Sequence, residues 1–498
     1  MMDMIQDFMD YINPILPHVI LIIAALIAPA IGMKSGKASA VFMLAAGLLA
    51  LGVTACMMYN GYSETFEGLF AFNEFTGFMI LLFMAVFCLI VAMSYGSSDN
   101  KKHHGEYYSL LAAATVGMMF VCAAQDLISL FVGLELAGIM SIALVAFKKN
   151  DPRSSEAAVK YLIISGLSTA LFLYGMSLVY GLTGTLNIHE IIYGVFDSSG
   201  VQQTAGLAEL DITWAYAVAM VTMIAGFAFK IAIIPFHAWA PDVYEGAPTP
   251  VATFLAIGSK KMGFVVFFKI FLLLFVAIQV TSSAIHELQW VFAILAAATM
   301  TLGNIVAISQ TNIKRMLAYS SIAQGGYILI VLAVASELAL VGGLFHMFTH
   351  VFMKGGAFIV VAALCARGIG ESINDYRGLS KRAPLIAFAM MLFMFSLAGI
   401  PFLAGFWSKF ILFSSAVDGG TWIWLVAFAV INSAISLYYY TKVVKAMYVD
   451  KGATTEKLKV PFNFKIAIAV CAIATIAMGV YPGPIIELCE MAARTLLL

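Results

Sequence analysis

Charged residues are scarce in this sequence. Only 11% of its 498 residues are Asp, Glu, Lys or Arg, whereas 62% are hydrophobic. Ordinary soluble domains contain about 25% charged residues, so a chain of this composition cannot cover a surface that faces water. The hydrophobic residues also occur in runs of about 20, the length that crosses a hydrocarbon core about 30 Å thick. The composition therefore excludes a soluble protein and predicts a polytopic membrane protein in a lipid bilayer.

The sequence also lacks the motifs of a cofactor site. Its six cysteines stand singly, without a C-x-x-C pair or a histidine at ligand spacing, so neither an iron–sulfur cluster nor a structural zinc is expected. It has no G-x-G-x-x-G motif opening a βαβ unit and no P-loop, which argues against a nucleotide site. Nothing predicts a nucleic-acid partner. The N-terminal MMDMIQDFMD is acidic, whereas a signal peptide begins with basic residues, so the first helix is expected to be retained.

Fourteen hydrophobic segments have the length of transmembrane helices. They cover residues 14–32, 38–59, 72–95, 108–124, 126–147, 160–182, 214–236, 248–278, 287–308, 314–334, 336–365, 385–413, 420–447 and 462–481. The fold class is accordingly predicted as all-α.

The loops between these segments alternate in charge, which predicts the topology. The basic loops hold Lys34, Lys37, Lys101, Lys102, Lys148, Lys149, Arg153, Lys314, Arg315, Arg367, Arg377, Lys381, Arg382, Lys451, Lys457 and Lys459. The intervening loops carry Glu64, Glu67, Glu190, Asp197, Glu209, Asp211, Glu287 and Asp418. Basic loops lie in the cytoplasm, so both termini are expected outside. One loop on the basic side departs from this pattern, because it holds only Asp242 and Glu245.

Two predicted helices are interrupted by proline. Pro235 follows Lys230, and Pro401 follows Gly399 and precedes Lys409. Proline frees a backbone carbonyl, which a membrane helix tolerates only beside protein or water. Interrupted helices at corresponding places in two halves indicate a transport site. We therefore predict two five-helix repeats, segments four to eight and nine to thirteen, of which the second is inverted because each contains an odd number of helices.

The repeats divide the chain into four parts. An N-terminal three-helix segment spans residues 1–107, and the first antiporter-like repeat spans 108–280. The second, inverted repeat spans 281–447, and a C-terminal loop with the last helix spans 448–498.

Several charged side chains fall inside these segments or at their edges. They are Glu135, Lys160, Lys230, Lys260, Lys261, Lys269, Lys354 and Lys409. A charge at the centre of a membrane helix costs about 2.5–3.5 kcal/mol on insertion scales. These groups must therefore face a polar interior, pair with one another or release protons. A buried lysine is suited to binding and releasing a proton as a carboxylate approaches or withdraws, so we predict a path for proton transfer.

Some positions on this path leave alternatives open. Glu135 acting on Lys230 is the candidate switch, and the alternative is a static ion pair that fixes helix packing. Lys160 lies about one turn into its segment, so it either transfers protons or snorkels to the cytoplasmic interface. Lys260 and Lys261 point about 100° apart on a helix, so only one is expected to face the path.

Histidines add to the predicted path. His346, His350 and Lys354 recur every four residues and therefore share one helix face. A proton relay is favoured there over packing histidines, and a metal site lacks a third ligand. His237 follows a helix break, where it either extends the relay or caps the broken helix. Lys269 is either an exit residue or a snorkelling one.

Long segments of the chain resemble a known family. FKIAIIPFHAWAPDVYEGAPTP, GNIVAISQTNIKRMLAYSSIAQGGY and SLAGIPFLAGFWSKF closely resemble subunit N of the NADH-quinone oxidoreductase (respiratory complex I) family. LFVGLELAGIMSIALVAFKKNDPRSSEAAVKY resembles its fifth and sixth helices, so the similarity runs from about residue 100 to 450. FHMFTHVFMKGGAF is more similar to the larger antiporter-like subunits or to multisubunit sodium/proton antiporters. Gln324 stands where many relatives have histidine.

The resemblance implies a proton-pumping membrane-arm subunit that holds no redox centre. Quinone, flavin and iron–sulfur centres are then expected on partner subunits, and no cofactor on this chain. Other membrane-arm subunits, including a neighbouring antiporter-like subunit, are the expected partners, in a prokaryotic cell (inner) membrane. Carried over by position, the functional residues are Glu135, Lys160, Lys230, His237, Lys260 and Lys409, with Lys261 replacing Lys260 when the larger subunits are matched.

The resemblance leaves the electron carriers open. The donor is NADH, reduced F420 or ferredoxin, and the acceptor is a quinone or methanophenazine. A subunit of a sodium/proton antiporter without redox partners is the alternative function, and a structural membrane anchor is a third.

Overall fold

The computed structural model describes residues 12–95, 103–194, 209–272, 283–418, 420–452, 454 and 456–497, and their side chains except at 192–194, 209–214, 216 and 283–287. Some of the sequence predictions fall elsewhere in the chain. The N-terminal ten residues, the domain boundary at 280 and the loop charges Lys101, Lys102 and Asp197 lie outside the described residues, as do the side chains of Glu209, Asp211 and Glu287.

Long apolar helices make up nearly all of the described chain. The labels used below are α1 (Leu16–Lys34), α2 (Gly36–Tyr59), α3 (Glu74–Ser94), α4 (His104–Ala123), α5 (Leu127–Val145), α6 (Pro152–Thr183), α7 (Glu209–Ile231), α8 (Thr249–Leu272), α9 (Ser283–Ser309), α10 (Ile313–Val334), α11 (Glu337–Cys365), α12 (Pro384–Ala398), α13 (Ala404–Ser415), α14 (Ile423–Tyr448), α15 (Phe462–Val480) and α16 (Gly483–Leu497). Shorter helices cover Ile188–Gly194, Trp239–Gly246 and Leu379–Arg382.

The helices match the predicted membrane segments. Within the described ranges, twelve helices are long and apolar enough to cross a membrane. The two remaining segments are the interrupted ones, α7 and the pair α12 and α13. The prediction of an all-α membrane protein with about fourteen transmembrane helices is thereby confirmed. A two-stranded antiparallel hairpin, β1 (Glu64–Phe66) and β2 (Phe70–Phe72), joins α2 to α3.

Both predicted interruptions are present. α7 ends at Ile231, and the chain passes through Ala232 in the left-handed region, with φ of 52°. α12 ends at Ala398 and is followed by Gly399 at φ of 93°, a conformation that favours glycine. Pro401 has no N–H and so cannot donate a helical hydrogen bond to the carbonyl four residues earlier. Each interruption falls in the fourth helix of its predicted five-helix set, as corresponding positions in two repeats should.

The centre of the bundle is formed by α8, α10 and α11. The membrane-length windows of these helices are 94%, 89% and 83% buried, whereas those of α1, α2, α6 and α14 are between 22% and 33% buried. α8 contains two π-helical turns, at Leu255–Ser259 and Phe268–Leu272. Such turns break the regular α-helical ladder and often occur at functional sites. The most enclosed helix is therefore also the least regular.

Small residues set the position of α5 against α4. A Cβ added at Gly117 would lie 2.6 Å from the Ala137 nitrogen and 2.8 Å from the Gly133 carbonyl oxygen. Glycine at this position thus allows two backbones to approach closely, as is common between membrane helices. The contact fixes the helix that carries Glu135.

Candidate functional site

The lysines that the sequence places within membrane segments are mostly enclosed by protein. Relative exposure is 4% for Lys260, 1% for Lys261, 5% for Lys269, 0% for Lys354 and 4% for Lys409, and the Lys230 side chain is 8% exposed. Ionisable groups inside a membrane protein usually face the bundle interior or a wet cavity. These ammonium groups accordingly lie in the protein interior and not against lipid.

Glu135 and Lys230 form an ion pair where α5, α6 and α7 meet. Lys230 donates to Glu135 Oε1 at 3.3 Å and to the Ser165 hydroxyl at 3.2 Å. The Thr169 hydroxyl donates to Glu135 Oε1 at 2.7 Å. A Cβ added at Gly138 would lie 3.1 Å from Lys230 Nζ, so glycine one turn after the carboxylate leaves room for the ammonium. Both charges therefore have polar partners inside the bundle.

Lys260 and Lys261 both point into the protein. Lys260 donates to the Ser321 carbonyl of α10 at 2.8 Å, and its ammonium lies against Gly325. The Lys261 side chain is likewise enclosed. Both lysines are enclosed because α8 is surrounded by protein, and that only one of them faces the path stays a prediction.

His346, His350 and Lys354 line one face of α11, as their spacing predicts. The His346 and His350 rings lie 6.0 Å apart, centroid to centroid. His346 Nδ1 is 3.0 Å from the Ser408 hydroxyl of α13, and Lys354 donates to the Ser320 hydroxyl at 2.7 Å. Both ring nitrogens of His350 and Nε2 of His346 are buried without a partner among the described residues. Since buried polar atoms normally have partners, this face is suited to water.

Lys409 is held by the interruption between α12 and α13. Its ammonium donates to the carbonyls of Leu397 and Ala398 at 3.0 and 3.1 Å and to the Ser433 hydroxyl at 2.8 Å. It also lies 4.8 Å above the Tyr327 ring, a favourable position for a cation. The carbonyls are the ones that the helix leaves unbonded where it ends, so the break supplies the ammonium with its ligands.

His237 and Lys269 have no hydrogen bond to the other candidates among the described residues. His237 follows the end of α7 and is half-buried, and its Nδ1 has no partner among the described residues. Lys269 is in the second π turn of α8 and donates to the Ala124 carbonyl at 2.6 Å. Lys269 is therefore enclosed and does not snorkel.

Lys160 lies in a different environment from the other candidates. Its side chain is 42% exposed and is held by Glu156 and Asp242, each at 2.8 Å. Asp242 in turn pairs with Arg315 at 2.7 Å, and Arg315 pairs with Glu245 at 3.0 Å. Lys160 thus belongs to a partly exposed ion-pair cluster and is not brought together with the buried lysines.

The same cluster explains the one loop that departs from the charge alternation. Asp242 and Glu245 neutralise lysine and arginine of neighbouring helices instead of facing the solvent alone. Burial raises the pKa of the Asp242 carboxyl, but hydrogen bonds from Lys160 and Arg315 outweigh it, so the pKa lies below its usual value. The resulting stabilisation is present at neutral pH and is lost only as the pH falls through that lowered pKa.

A polar cavity of about 370 Å³ opens beside this cluster, at the start of α8. Lys314, Glu371, Glu245, Arg367 and Thr249 are among its lining residues. Lys314 is almost fully buried, pairs with Glu371 at 2.8 Å and donates to the Ala247 carbonyl at 3.2 Å. The cavity therefore lies at the start of the helix that carries Lys260 and Lys261.

Sequence reasoning missed the uncharged partners of these groups. Ser165 and Thr169 of α6 and Ser320 of α10 have hydroxyls that no charge search detects. A polar stripe was nevertheless readable in α10, because Ser320, Gln324 and Tyr327 recur at helical spacing in an otherwise apolar segment.

Comparisons with known proteins agree with this arrangement. Residues 124–436 match the family described as "NADH:quinone oxidoreductase/Mrp antiporter, TM". F(420)H(2) dehydrogenase subunit N of Methanosarcina mazei is 42% identical over 450 residues, covering 88% of this chain and 87% of that protein. NADH-quinone oxidoreductase subunit N of Desulforamulus reducens is 42% identical over 460 residues, covering 92% of each.

A solved structure shares the fold over nearly the whole length. A chain of respiratory complex I from Thermus thermophilus is 28% identical, with a TM-score of 0.76, covering 95% of this chain and 98% of that one. The family match spans more than half of the sequence and includes every buried lysine described above. This chain belongs to the NADH:quinone oxidoreductase/Mrp antiporter transmembrane family.

Proposed function

We propose that this chain is the subunit-N-type membrane subunit of a complex-I-like oxidoreductase and that it moves protons across the membrane. Redox chemistry in partner subunits supplies the free energy. Near-full-length relatives are subunits N of an NADH-quinone oxidoreductase and of an F(420)H(2) dehydrogenase, which supports this assignment for the present chain.

The observation that carries the proposal is the series of enclosed ammonium groups from α7 to α13. Glu135 controls the charge on Lys230, and protons then pass by way of Lys260 and Lys261 to α11. His346, His350 and Lys354 bring them to the region of Lys409. Apart from Lys230, the lysines of this series have no carboxylate partner among the described residues. Buried charges are a weak source of stability, so helix packing alone does not account for them. Proton binding and release explains why the chain keeps them.

Five further residues take lesser parts in this proposal. His237 sits where it can extend the path from the break after α7. Pro235, Gly399 and Pro401 shape the interruptions, and Lys160 helps to hold the short helix Trp239–Gly246 against α6 and α10. The polar cavity at the start of α8 is the proposed uptake side for protons.

The same proposal implies the membrane, the topology and the partner subunits of the chain. It functions in a prokaryotic cell membrane, with both termini outside, among other membrane-arm subunits that include a second antiporter-like subunit. Flavin, iron–sulfur centres and the quinone or methanophenazine site belong to partner subunits. The parts 1–107, 108–280, 281–447 and 448–498 remain the proposed domain division.

A sodium/proton antiporter subunit is the competing function, because the family description names both kinds of complex. The relatives at 42% identity over about nine-tenths of their length are redox-complex subunits. They favour the redox-driven function. Mass identification of the proteins that purify with the chain separates the two: partners with iron–sulfur centres support the proposal, and their absence supports the antiporter.

The proposal is tested by replacing Lys230 in the native complex. Sealed inverted vesicles are given whichever of NADH, reduced F420 and reduced ferredoxin supports electron transfer in the wild type. Proton uptake is followed with a pH-sensitive dye. We expect Lys230→Ala to lose most proton uptake per electron while the complex stays assembled.

The matched control is Lys445→Ala, which removes an exposed lysine from α14. It should pump as the wild type does. Wild-type proton uptake in Lys230→Ala vesicles would contradict the proposal.

A further inference from the structure

Lys354 and Lys409 are the last two ammonium groups of the proposed path, and uncharged side chains of α10 lie between them. Ser320, Gln324 and Tyr327 follow one another at spacings of four and three and so share a helix face. Lys354 donates to Ser320 at one end, and the Tyr327 ring supports Lys409 at the other. The middle position is Gln324, whose amide has no pKa in the physiological range and cannot accept and release a proton as histidine does.

Gln324 is nevertheless tied to Lys409. Its amide donates to the Leu397 carbonyl at 3.1 Å, and Lys409 donates to the same oxygen at 3.0 Å. The Gln324 side-chain oxygen is buried without a hydrogen-bond partner among the described residues. It can therefore accept a hydrogen bond from a buried water.

A tyrosine from another helix contacts this face. Tyr440 of α14 is fully buried, and its hydroxyl is in direct contact with the Ser320 hydroxyl. Tyr440 also interacts with Gln324. The ammonium of Lys354 can only donate, so it occupies a lone pair of Ser320 and leaves the serine proton free to point at Tyr440. Lys354, Ser320 and Tyr440 thus form an ordered chain of donors.

We propose that Ser320 and Tyr440 form a hydroxyl bridge that carries the proton of Lys354 past Gln324 toward Lys409. Lys354 gives one N–H proton to the serine oxygen, the serine proton passes to the tyrosine oxygen, and the tyrosine proton leaves through a water beside Gln324 to the Lys409 amine. One proton is transferred, and both hydroxyls end as they began. No electron moves.

The hydrogen bonding of Lys354 leads to this bridge. Its ammonium donates to Ser320, whereas neither ring nitrogen of His350 has a hydrogen-bond partner among the described residues.

The test compares Tyr440→Phe with Lys354→Ala in vesicles of the native complex, with proton uptake measured per electron transferred. This inference rests on the proposed function. Both substitutions should lower the rate of proton uptake equally, by about 10-fold or more if the bridge behaves as a positioned acid–base group, and the double variant should be no worse than either. Ser320→Ala should reproduce the loss, and Ser320→Thr, which keeps a hydroxyl, should restore uptake.

Tyr108→Phe is the matched control. Tyr108 is a buried tyrosine of α4 whose hydroxyl donates to the Ser94 carbonyl at 3.2 Å, so uptake per electron should stay normal. Wild-type uptake in Tyr440→Phe together with loss in Lys354→Ala would overturn the bridge alone. Wild-type uptake in both Lys354→Ala and Lys409→Ala would instead overturn the proposed function.

Discussion

Replacing Glu135 with glutamine removes the charge of one carboxylate and keeps the shape of the side chain. The amide oxygen of Glu135→Gln can still accept the hydrogen bond from Thr169, so the junction of α5, α6 and α7 should keep its packing. Only the negative charge beside Lys230 is removed. If Glu135 acts as a switch, this single change should disable it.

The size of the effect follows from the geometry of the pair. At 3.3 Å and an effective dielectric constant of about 20, the attraction between the two charges is about 5 kcal/mol. The Glu135 side chain is still 23% exposed, so we halve the figure for solvent screening, to about 2–3 kcal/mol. A loss of that size makes the protonated lysine rarer and slows transfer from it by about 30- to 160-fold.

The assay is proton uptake per electron in sealed vesicles, with the amount of assembled complex measured in parallel. The matched control is Glu156→Gln, which removes the charge of the carboxylate that holds Lys160 at 2.8 Å. That pair is largely exposed and so contributes little, and uptake should remain normal. Normal uptake in Glu135→Gln with an intact complex would refute the switch and favour the static ion pair.

Three further substitutions test other parts of the site. Lys160→Ala should leave proton uptake within about 2-fold of wild type and barely change the thermal unfolding temperature in detergent, because its ion pairs are partly exposed. Gly325→Ala places a Cβ 3.0 Å from Nζ of Lys260 and should reduce uptake in the vesicle assay, although alanine normally stabilises a helix by about 1 kcal/mol over glycine. Pro401→Ala should also reduce uptake, because an N–H at this position competes for a carbonyl that binds the Lys409 ammonium. Pro384→Ala, at the first turn of α12, should pump normally. Equal uptake in the two proline variants would refute this.

The sequence was sufficient for the helices and for the identity of the enclosed charges. Apolar runs of membrane length leave little choice of secondary structure, and Lys230, Lys354 and Lys409 are conspicuous inside such runs. The interruptions at Pro235 and Pro401 were also readable, because proline removes a donor wherever it stands. These features depend on local chemistry alone.

What the sequence could not provide was the direction in which each side chain points. Lys160 and Lys230 look alike in sequence, because each is a lysine in an apolar segment. The acidic partners Asp242 and Glu135 are far from them in the chain. Only the packing of α6 against the short helix Trp239–Gly246 shows that Lys160 meets Asp242 at a partly exposed edge. Similarly, the sequence left open which of Lys260 and Lys261 faces the path, and it did not show that α8 encloses both of them.

The two halves of the site compensate their ammonium groups by different means. Lys230 is paired with the side-chain carboxylate of Glu135. Lys409 is paired with the carbonyl dipoles of Leu397 and Ala398, which the chain fixes in place at the end of α12. A side chain can change its distance from an ammonium group more readily than two backbone carbonyls can. Under the proposed function, we therefore expect proton affinity to be adjusted at Lys230 and to stay constant at Lys409, so that the first step of the path is the one that responds to partner subunits.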